Sequence, residues 1–304
     1  MYIAITLYKV INYFIMKTIK YTFLFLFISI SLVACSDDDS STPNDLEDET
    51  ALEFRQELNV PYGNDGDQVL DIYLPAGRTI TTKIMILVHG GGWTSGDKSE
   101  MDLLKNLMLQ DFPDIAVVNV NYRLATENNP PFPMQIDDIS SIVSFLKNNQ
   151  SEYVISDDIG FIGTSAGAHI AMLWSYAYDE DSNTSMVCSI VGPTNFTDPA
   201  YLENEDPLLQ ELFEVYGIDP SLEFLELVSP FHQMTASAPP TILFYGGQDP
   251  LIPVSQGVDM EVKLTQLGVV NEFTLYPDAG HGWIGLELID TWTKLKLFTE
   301  THLE

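Results

Sequence analysis

The sequence predicts an α/β domain built on a mostly parallel sheet of about eight strands, with helices on both faces. Two observations support this prediction. Apolar runs of strand length alternate with segments in which apolar residues recur at helical spacing. Some runs, such as Ile84 to Val88, are apolar at every position, which is typical of a strand buried on both faces. An insertion at about 193–240 interrupts the alternation and is predicted to form a cap over one end of the sheet.

The predicted elements follow one another in a regular order. Glu53–Val60 and Val69–Leu74 flank a turn rich in glycine, asparagine and aspartate, so they predict a hairpin. The other predicted strands are Ile84–Val88, Ile115–Val120, Ile159–Ile162, Val187–Val191, Thr241–Tyr245 and Phe273–Tyr276. The predicted helices lie near Met101–Met108, Ile136–Leu146, Ala166–Tyr178, Ser255–Leu267 and Leu286–Phe298. In such a sheet, ligands bind beyond the carboxyl ends of the strands.

The composition excludes one class of partner. The 304 residues include 44 acidic and 13 basic side chains, which gives a formal net charge of −31. A surface this acidic repels nucleic acid, so no DNA or RNA partner is expected. The same acidity favours solubility and is typical of a secreted protein.

The N-terminal segment is predicted to be a targeting signal and not part of the fold. Two basic residues, Lys17 and Lys20, precede the apolar run Tyr21–Val33. This run is too short to cross a bilayer comfortably, so residues 1–34 are interpreted as a signal peptide. Met16 begins a signal of ordinary length and is an alternative start. The globular domain is then expected to span residues 51–304.

The signal ends in a motif that predicts a lipid anchor. Leu32-Val33-Ala34-Cys35 resembles the bacterial lipobox, which implies that Cys35 is lipidated and becomes the first mature residue. The aspartates at 37–39 resemble a surface-export tag of some Gram-negative lipoproteins, or they only begin a solvated acidic tether over 35–50. The expected location is the outer membrane, by a lipid anchor, with exposure at the cell surface.

A reactive serine is predicted at the end of the strand Ile159–Ile162. The pentapeptide Gly163-Thr164-Ser165-Ala166-Gly167 follows that strand and opens a helix. It matches the pattern G-x-S-x-G, a sharp turn that exposes a serine hydroxyl. Ser165 is therefore the candidate nucleophile.

Serine needs a base to remove its proton, and one of five histidines fits that role best. His281 follows the strand Phe273–Tyr276 between two glycines. The other four histidines fit the role less well. His89 is expected to be a local support, and His232, in the insertion, is expected to have a structural role. His169 lies inside the helix after Ser165, and His302 lies at the chain end.

The acid that orients the base is predicted to be Asp249, directly after the strand Thr241–Tyr245. Asp198 and Asp219 lie in the insertion and are expected to be surface acids. The chain order Ser165, Asp249, His281 is the order found in α/β-hydrolases.

The glycine run His89–Ser99 (HGGGWTSGDKS) is predicted to bind a transient anion. A phosphate-binding loop needs its last glycine directly before Lys and Ser or Thr, and here Asp97 intervenes. At a strand end beside Ser165, the run instead suits an oxyanion hole made by the N–H groups of Gly91, Gly92 and Ala166.

These motifs together resemble the α/β-hydrolase esterases over about residues 53–300. HGGGWTSGDK, NYRLA with FPMQIDD, GTSAGAH, GGQDPLIPV and GHGW are similar to the hormone-sensitive-lipase-related carboxylesterases, especially bacterial acetyl-xylan and feruloyl esterases. The resemblance implies the α/β-hydrolase fold and a serine carboxylesterase with Ser165 as nucleophile, His281 as base and Asp249 as orienter. It also implies oxyanion donors at Gly91, Gly92 and Ala166.

The substrate is expected to be a small-molecule or oligosaccharide ester, and no cofactor or metal is expected. Four aromatic residues of the cap either line an acyl or sugar pocket or pack in the core; they are Phe196, Tyr201, Phe213 and Tyr216. Two alternatives stay open at this point: an arylformamidase-like amide hydrolase, and a non-catalytic glycan-binding lipoprotein of the cell surface.

Overall fold

A computed structural model describes residues 51–203 and 221–303, and these residues form one eight-stranded sheet. The strands are β1 Arg55–Pro61, β2 Val69–Leu74, β3 Ile84–Val88, β4 Ala116–Val120, β5 Ile159–Thr164, β6 Thr184–Ile190, β7 Thr241–Gly246 and β8 Asn271–Tyr276. Their order across the sheet is β1-β2-β4-β3-β5-β6-β7-β8. The predicted fold class is confirmed.

The sheet is antiparallel only at one side. β2 pairs antiparallel with both β1 and β4, whereas every pairing from β4 through β8 is parallel. The carboxyl ends of β3, β5, β6, β7 and β8 therefore meet at one edge. Crossovers between parallel strands require the helices that the periodicity predicted.

Helices cover both faces of the sheet. They are α1 Asp102–Asp111, α2 Pro131–Asn148, α3 Gln150–Tyr153, α4 Ala166–Ala177, α5 Pro199–Leu202, α6 Leu222–Leu227, α7 Pro230–Gln233, α8 Ser255–Gln266 and α9 Leu286–His302. Along β3, Ile84, Ile86 and Val88 pack into the core beneath α2, α4 and α8. Met85 and Leu87 point the other way and pack against α1 and α9. This alternation explains why all of β3 is apolar.

The predicted cap insertion carries the short helices α5, α6 and α7 in its described parts. Its aromatic residues Phe196 and Tyr201 are buried and pack in the core, which was one of the two expectations for them. Phe213 and Tyr216 lie outside the described residues, as do the predicted signal peptide, Cys35 and the acidic tether. Among residues 51–203 and 221–303, no helix is long and apolar enough to span a membrane.

Candidate active site

Ser165 lies at a sharp turn between β5 and α4. Its φ of 49° and ψ of −120° are strained values for a residue with a side chain. Gly163 and Gly167, on either side of Ser165, let the backbone lie against neighbouring backbone atoms without room for a side chain. A Cβ on Gly163 would lie 2.5 Å from Cα of Ala168, and one on Gly167 would lie 2.2 Å from the carbonyl oxygen of His89.

The three predicted triad residues lie together. Nε2 of His281 is 2.9 Å from Oγ of Ser165, and Nδ1 of His281 is 2.8 Å from Oδ2 of Asp249. The side chain of Asp249 is 1% exposed, whereas that of His281 is 26% exposed. The acid is thus enclosed, and the imidazole stays open to a substrate and to water.

The sheet brings these residues together from distant parts of the chain. Ser165 follows β5, Asp249 follows β7 and His281 follows β8, so all three project from the same edge. The other carboxylate oxygen of Asp249, Oδ1, accepts hydrogen bonds from the backbone N–H groups of Leu251 at 2.8 Å and Ile252 at 3.0 Å. These bonds fix the carboxylate in the orientation that holds the imidazole.

The glycine run His89–Ser99 forms a loop, called the glycine loop below, with a backbone that few residues other than glycine adopt. Gly91, Gly92 and Trp93 have φ values of 108°, 56° and 64°. A Cβ on Gly91 would lie 2.0 Å from the carbonyl oxygen of Ser95. Within the described residues, the N–H groups of Gly91 and Gly92 donate to no backbone acceptor.

Two N–H groups at the turn around Ser165 differ in whether they already have a hydrogen-bond acceptor. The N–H of Ser165 donates to the carbonyl oxygen of Ile190 at 2.8 Å, so it is already used. Ala166 is the first residue of α4, and the first N–H groups of a helix have no acceptor within the helix. The N–H of Ala166 therefore has no acceptor within α4, and the oxyanion hole formed by Gly91, Gly92 and Ala166 stays a prediction.

Buried side chains that the sequence analysis did not identify hold the glycine loop. The hydroxyl of Tyr122 donates to the carbonyl oxygen of His89 at 2.8 Å, and the two rings stack at 4.4 Å. Nε2 of Gln135 donates to the carbonyl oxygens of Trp93 and Arg123, both at 2.8 Å. The motifs NYRLA and FPMQIDD contain these residues. Their similarity to carboxylesterase motifs is a signal for them, but it assigns no role to either residue.

His89 supports the loop locally, as predicted. Its Nδ1 is 2.7 Å from the carbonyl oxygen of Gly90, and the side chain is fully buried. Burial lowers the pKa of His89, because a charged imidazole is poorly solvated there. Burial thus disfavours the charged ring, and Nδ1 donates to the carbonyl oxygen of Gly90.

His169 connects three parts of the site. Its Nε2 is 2.7 Å from the carbonyl oxygen of Val228, and Nε1 of Trp93 donates to its Nδ1 at 3.2 Å. Burial lowers its pKa to about 4. A neutral His169 on α4 therefore joins the glycine loop to the end of α6, a role that its position in the sequence did not reveal.

The prediction that Asp198 is a surface acid is wrong. Asp198 is 5% exposed and accepts hydrogen bonds from Ser255 Oγ at 2.5 Å and Gln256 Nε2 at 2.8 Å. It also caps α5 by accepting from the N–H of Ala200. Its partners on α8 are far away in the sequence, so the local pattern did not indicate burial. Asp219 lies outside the described residues.

His232 has the structural role expected of it. Its Nε2 is 2.8 Å from Oγ1 of Thr197 within the cap segment, and neither belongs to the catalytic cluster.

A cavity of about 390 Å³ opens above the serine. Its described walls include Ser165, His281 and the glycine loop. Apolar residues at the end of β6 and in the segments after β6 and β7 line another part; they are Ile190, Val191, Pro193, Leu251 and Ile252. Glu100 also lines the cavity.

The arrangement suits acyl transfer. A hydroxyl beside a neutral imidazole can attack a carbonyl carbon, and unpaired N–H groups beside it can stabilise the oxyanion that forms. Among the residues described here, no group of three or more His, Cys, Asp or Glu side chains is arranged to hold a metal ion.

Comparison with known proteins shows similarity to esterases. Residues 70–264 match the BD-FAE protein family. The chain is 27% identical over 250 residues to the esterase LipC of Mycobacterium tuberculosis, which covers 74% of this chain and 59% of LipC. It is 27% identical over 265 residues to the carboxylesterase NlhH of the same species, which covers 82% of this chain and 80% of NlhH.

Solved structures of carbohydrate esterases share the fold. A truncated carbohydrate esterase from gut microbiota superposes with a TM-score of 0.67 at 22% identity, over 83% of this chain and 97% of that one. A bifunctional GH43-CE protein of Bacteroides eggerthii gives 0.68 at 22% identity, over 81% of this chain and 38% of that one. With the sheet order described above, these similarities confirm the predicted α/β-hydrolase fold.

Proposed function

Since the chain belongs to the BD-FAE family, we propose that it is a serine carboxylic-ester hydrolase acting on small acyl esters. One observation carries the proposal: His281 lies 2.9 Å from the Ser165 hydroxyl and 2.8 Å from the Asp249 carboxylate. Both distances are within the range required of a nucleophile, its base and the group that orients the base.

The first half of the reaction acylates the enzyme. Ser165 Oγ attacks the ester carbonyl carbon while His281 Nε2 takes the hydroxyl proton. The carbonyl oxygen becomes an alkoxide, which the N–H groups of Gly91, Gly92 and Ala166 stabilise. Asp249 keeps the proton of His281 on Nδ1 and stabilises the imidazolium that forms.

The second half releases both products. His281 gives its proton to the departing alkoxide, so the alcohol leaves and an acyl-serine remains. Water then loses a proton to His281 and attacks the acyl carbon. His281 passes that proton to Ser165 Oγ as the acyl–serine bond breaks, which restores the serine and releases the carboxylic acid. No step needs a metal or a cofactor, because the residues named supply the nucleophile, the base and the oxyanion donors.

The substrates we propose are acetyl or feruloyl esters of plant polysaccharide. Structural similarity to carbohydrate esterases supports this class, and so do the sequence motifs that resemble acetyl-xylan and feruloyl esterases. The cavity of about 390 Å³ is large enough for a small acyl group with part of a sugar.

A substrate panel tests the proposal. One purified batch is assayed on acetyl, butyryl and feruloyl esters, on an aryl formamide, and on acetylated xylan. We expect ester hydrolysis by the parent and a loss of at least 10³-fold in kcat for Ser165→Ala, with the same circular dichroism spectrum. Formamide turnover without ester turnover would favour an amide hydrolase. Glycan binding without any turnover, or a Ser165→Ala variant within tenfold of the parent, would refute the proposal.

We also propose that the enzyme is a lipoprotein of the outer membrane, with its catalytic domain at the cell surface. The lipobox Leu32-Val33-Ala34-Cys35 and the acidic tether over 35–50 support this location. An enzyme held there would reach esters of polymers that do not enter the cell.

A further inference from the structure

Glu100 is the one acidic side chain among the described residues that line the cavity above Ser165. It lies in the short 3₁₀ turn Lys98–Met101, and its carboxylate has no hydrogen-bond or ion-pair partner within the described residues. A negative charge that is not neutralised therefore faces the space where an ester binds.

The turn that carries Glu100 is anchored on both sides. Lys98 is buried, and its Nζ contacts Asp71 Oδ1 at 2.7 Å and Asn59 Oδ1 at 2.6 Å. Met101 is also buried, and Oγ1 of Thr164 donates to its sulfur at 3.6 Å. Since Thr164 directly precedes Ser165, this contact fixes the turn beside the nucleophile.

The strand order places Glu100 on one side of Ser165 and the base on the other. The turn follows β3, Ser165 follows β5, and His281 follows β8, so β5 lies between the other two. His281 gives its proton to the leaving alcohol, which must therefore lie on the His281 side. The acyl half of the ester is left on the side of Glu100.

From this placement, and resting on the proposed esterase function, we infer that Glu100 determines acyl specificity. Its carboxylate repels acyl groups that carry their own carboxylate and admits neutral acyl groups such as acetyl and feruloyl. A hydroxyl on the acyl group can also donate a hydrogen bond to it.

Matched ester pairs test this inference. Methyl butyrate and monomethyl succinate share a leaving group and a four-carbon acyl chain, but only the second has a charged acyl group. Ethyl acetate and acetoxyacetate place the same charge on the alcohol half instead. In Glu100→Gln, we expect the succinate-to-butyrate ratio of kcat/KM to rise about tenfold, and the acetoxyacetate-to-ethyl-acetate ratio to change less than about twofold.

Glu272→Gln is the matched control. Glu272 is exposed near the amino end of β8, at the end of the strands away from the cavity. Its replacement removes the same single charge from a chain of net charge −31. Both ratios should keep their parental values in this variant. Glu100→Ala should reproduce the effect of Glu100→Gln. Agreement between the two variants would show that the effect comes from the lost charge and not from misfolding of one variant.

Two results would overturn the inference. One is an unchanged succinate-to-butyrate ratio in both Glu100 variants, and the other is an equal rise in the two ratios, which would place Glu100 on the alcohol side. Failure of the parent to hydrolyse either neutral ester would instead refute the proposed function, and the inference with it.

Discussion

At the scale of single residues, the candidate site depends on backbone conformations that side chains rarely tolerate. Ser165 has a φ of 49°, and Gly91 has a φ of 108° with another backbone oxygen 2.0 Å from where a Cβ would lie. Strain of this kind persists only where the surrounding structure enforces it. Here the strained residues Ser165 and Gly91 both line the cavity above the nucleophile.

Gly91→Ala should therefore impair catalysis more than binding. The added methyl group would collide with the carbonyl of Ser95, so the loop would move and an oxyanion donor would be displaced. Loss of one such donor typically lowers kcat by about 10²–10³. We expect a fall of this size in kcat with KM within a few-fold of the parent, measured by steady-state kinetics on a neutral acetyl ester.

Gly77→Ala is the control for this change. Gly77 also has a positive φ, of 68°, but a Cβ there would meet nothing within 4 Å. It should lose about 1 kcal/mol of stability and keep the parental kcat. Equal activity of the two glycine variants would contradict the role given to Gly91.

At the scale of elements, α4 connects the nucleophile to the cap insertion and to the glycine loop. His169 on this helix bonds to Val228 at the end of α6 and to Trp93 of the glycine loop. The helix α4, the cap insertion and the glycine loop are thus joined through one neutral imidazole. This connection depends on His169 staying unprotonated.

Through His169, acid should lower the free energy of unfolding at pH values above those at which typical carboxylates titrate. The pKa of His169 is about 4 in the folded chain, compared with 6.5 when the imidazole is unperturbed. As the pH falls below 6.5, the unfolded chain binds a proton that the folded chain does not, so the free energy of unfolding decreases down to about pH 4. His169 should account for a loss of about 2 kcal/mol between pH 7 and pH 5.

Replacing His169 with Gln isolates this effect, because glutamine can donate to the Val228 carbonyl and does not titrate. Urea unfolding of the parent and of His169→Gln at pH 7 and pH 5 should show a smaller loss of stability in the variant, by about 2 kcal/mol. Parallel decreases in the two proteins would show that His169 does not cause the acid sensitivity.

Elements and residues marked by a local pattern could be predicted from the sequence, whereas contacts between distant segments could not. Strands such as β3 were predictable because their apolar pattern is local, and Ser165, Asp249 and His281 were predictable because each follows a strand in a short motif. The burial of Asp198 and the bonds of His169 depend on partners that lie 57 to 76 residues away. No local pattern encodes such contacts.

At the scale of the whole molecule, the net charge of −31 repels anions from the whole surface, whereas Glu100 repels them only at the cavity. Charges are screened beyond about 8–10 Å at ordinary ionic strength, so salt weakens distant surface charges more than it weakens Glu100, an exposed side chain that lines the cavity and lies within that range of a bound ester. Added salt should therefore separate the two, because it weakens the general repulsion of anions and leaves most of the effect of Glu100. The acidic surface also disfavours adhesion to nucleic acid and to anionic lipid.

A chain with such a surface needs a specific means of staying at a membrane, and the proposed one is a lipid on Cys35. Cys35→Ala removes the thiol that the lipid would modify and leaves the acidic tether over 35–50 intact. After expression in a Gram-negative host, we expect the parent in the membrane fraction with the mass of a lipidated Cys35, and the variant in the soluble fraction or as an uncleaved precursor. Esterase activity of any soluble variant should match the parent, because the change lies outside the described catalytic domain. A parent chain that fractionates as soluble protein with an unmodified Cys35 would refute the anchor.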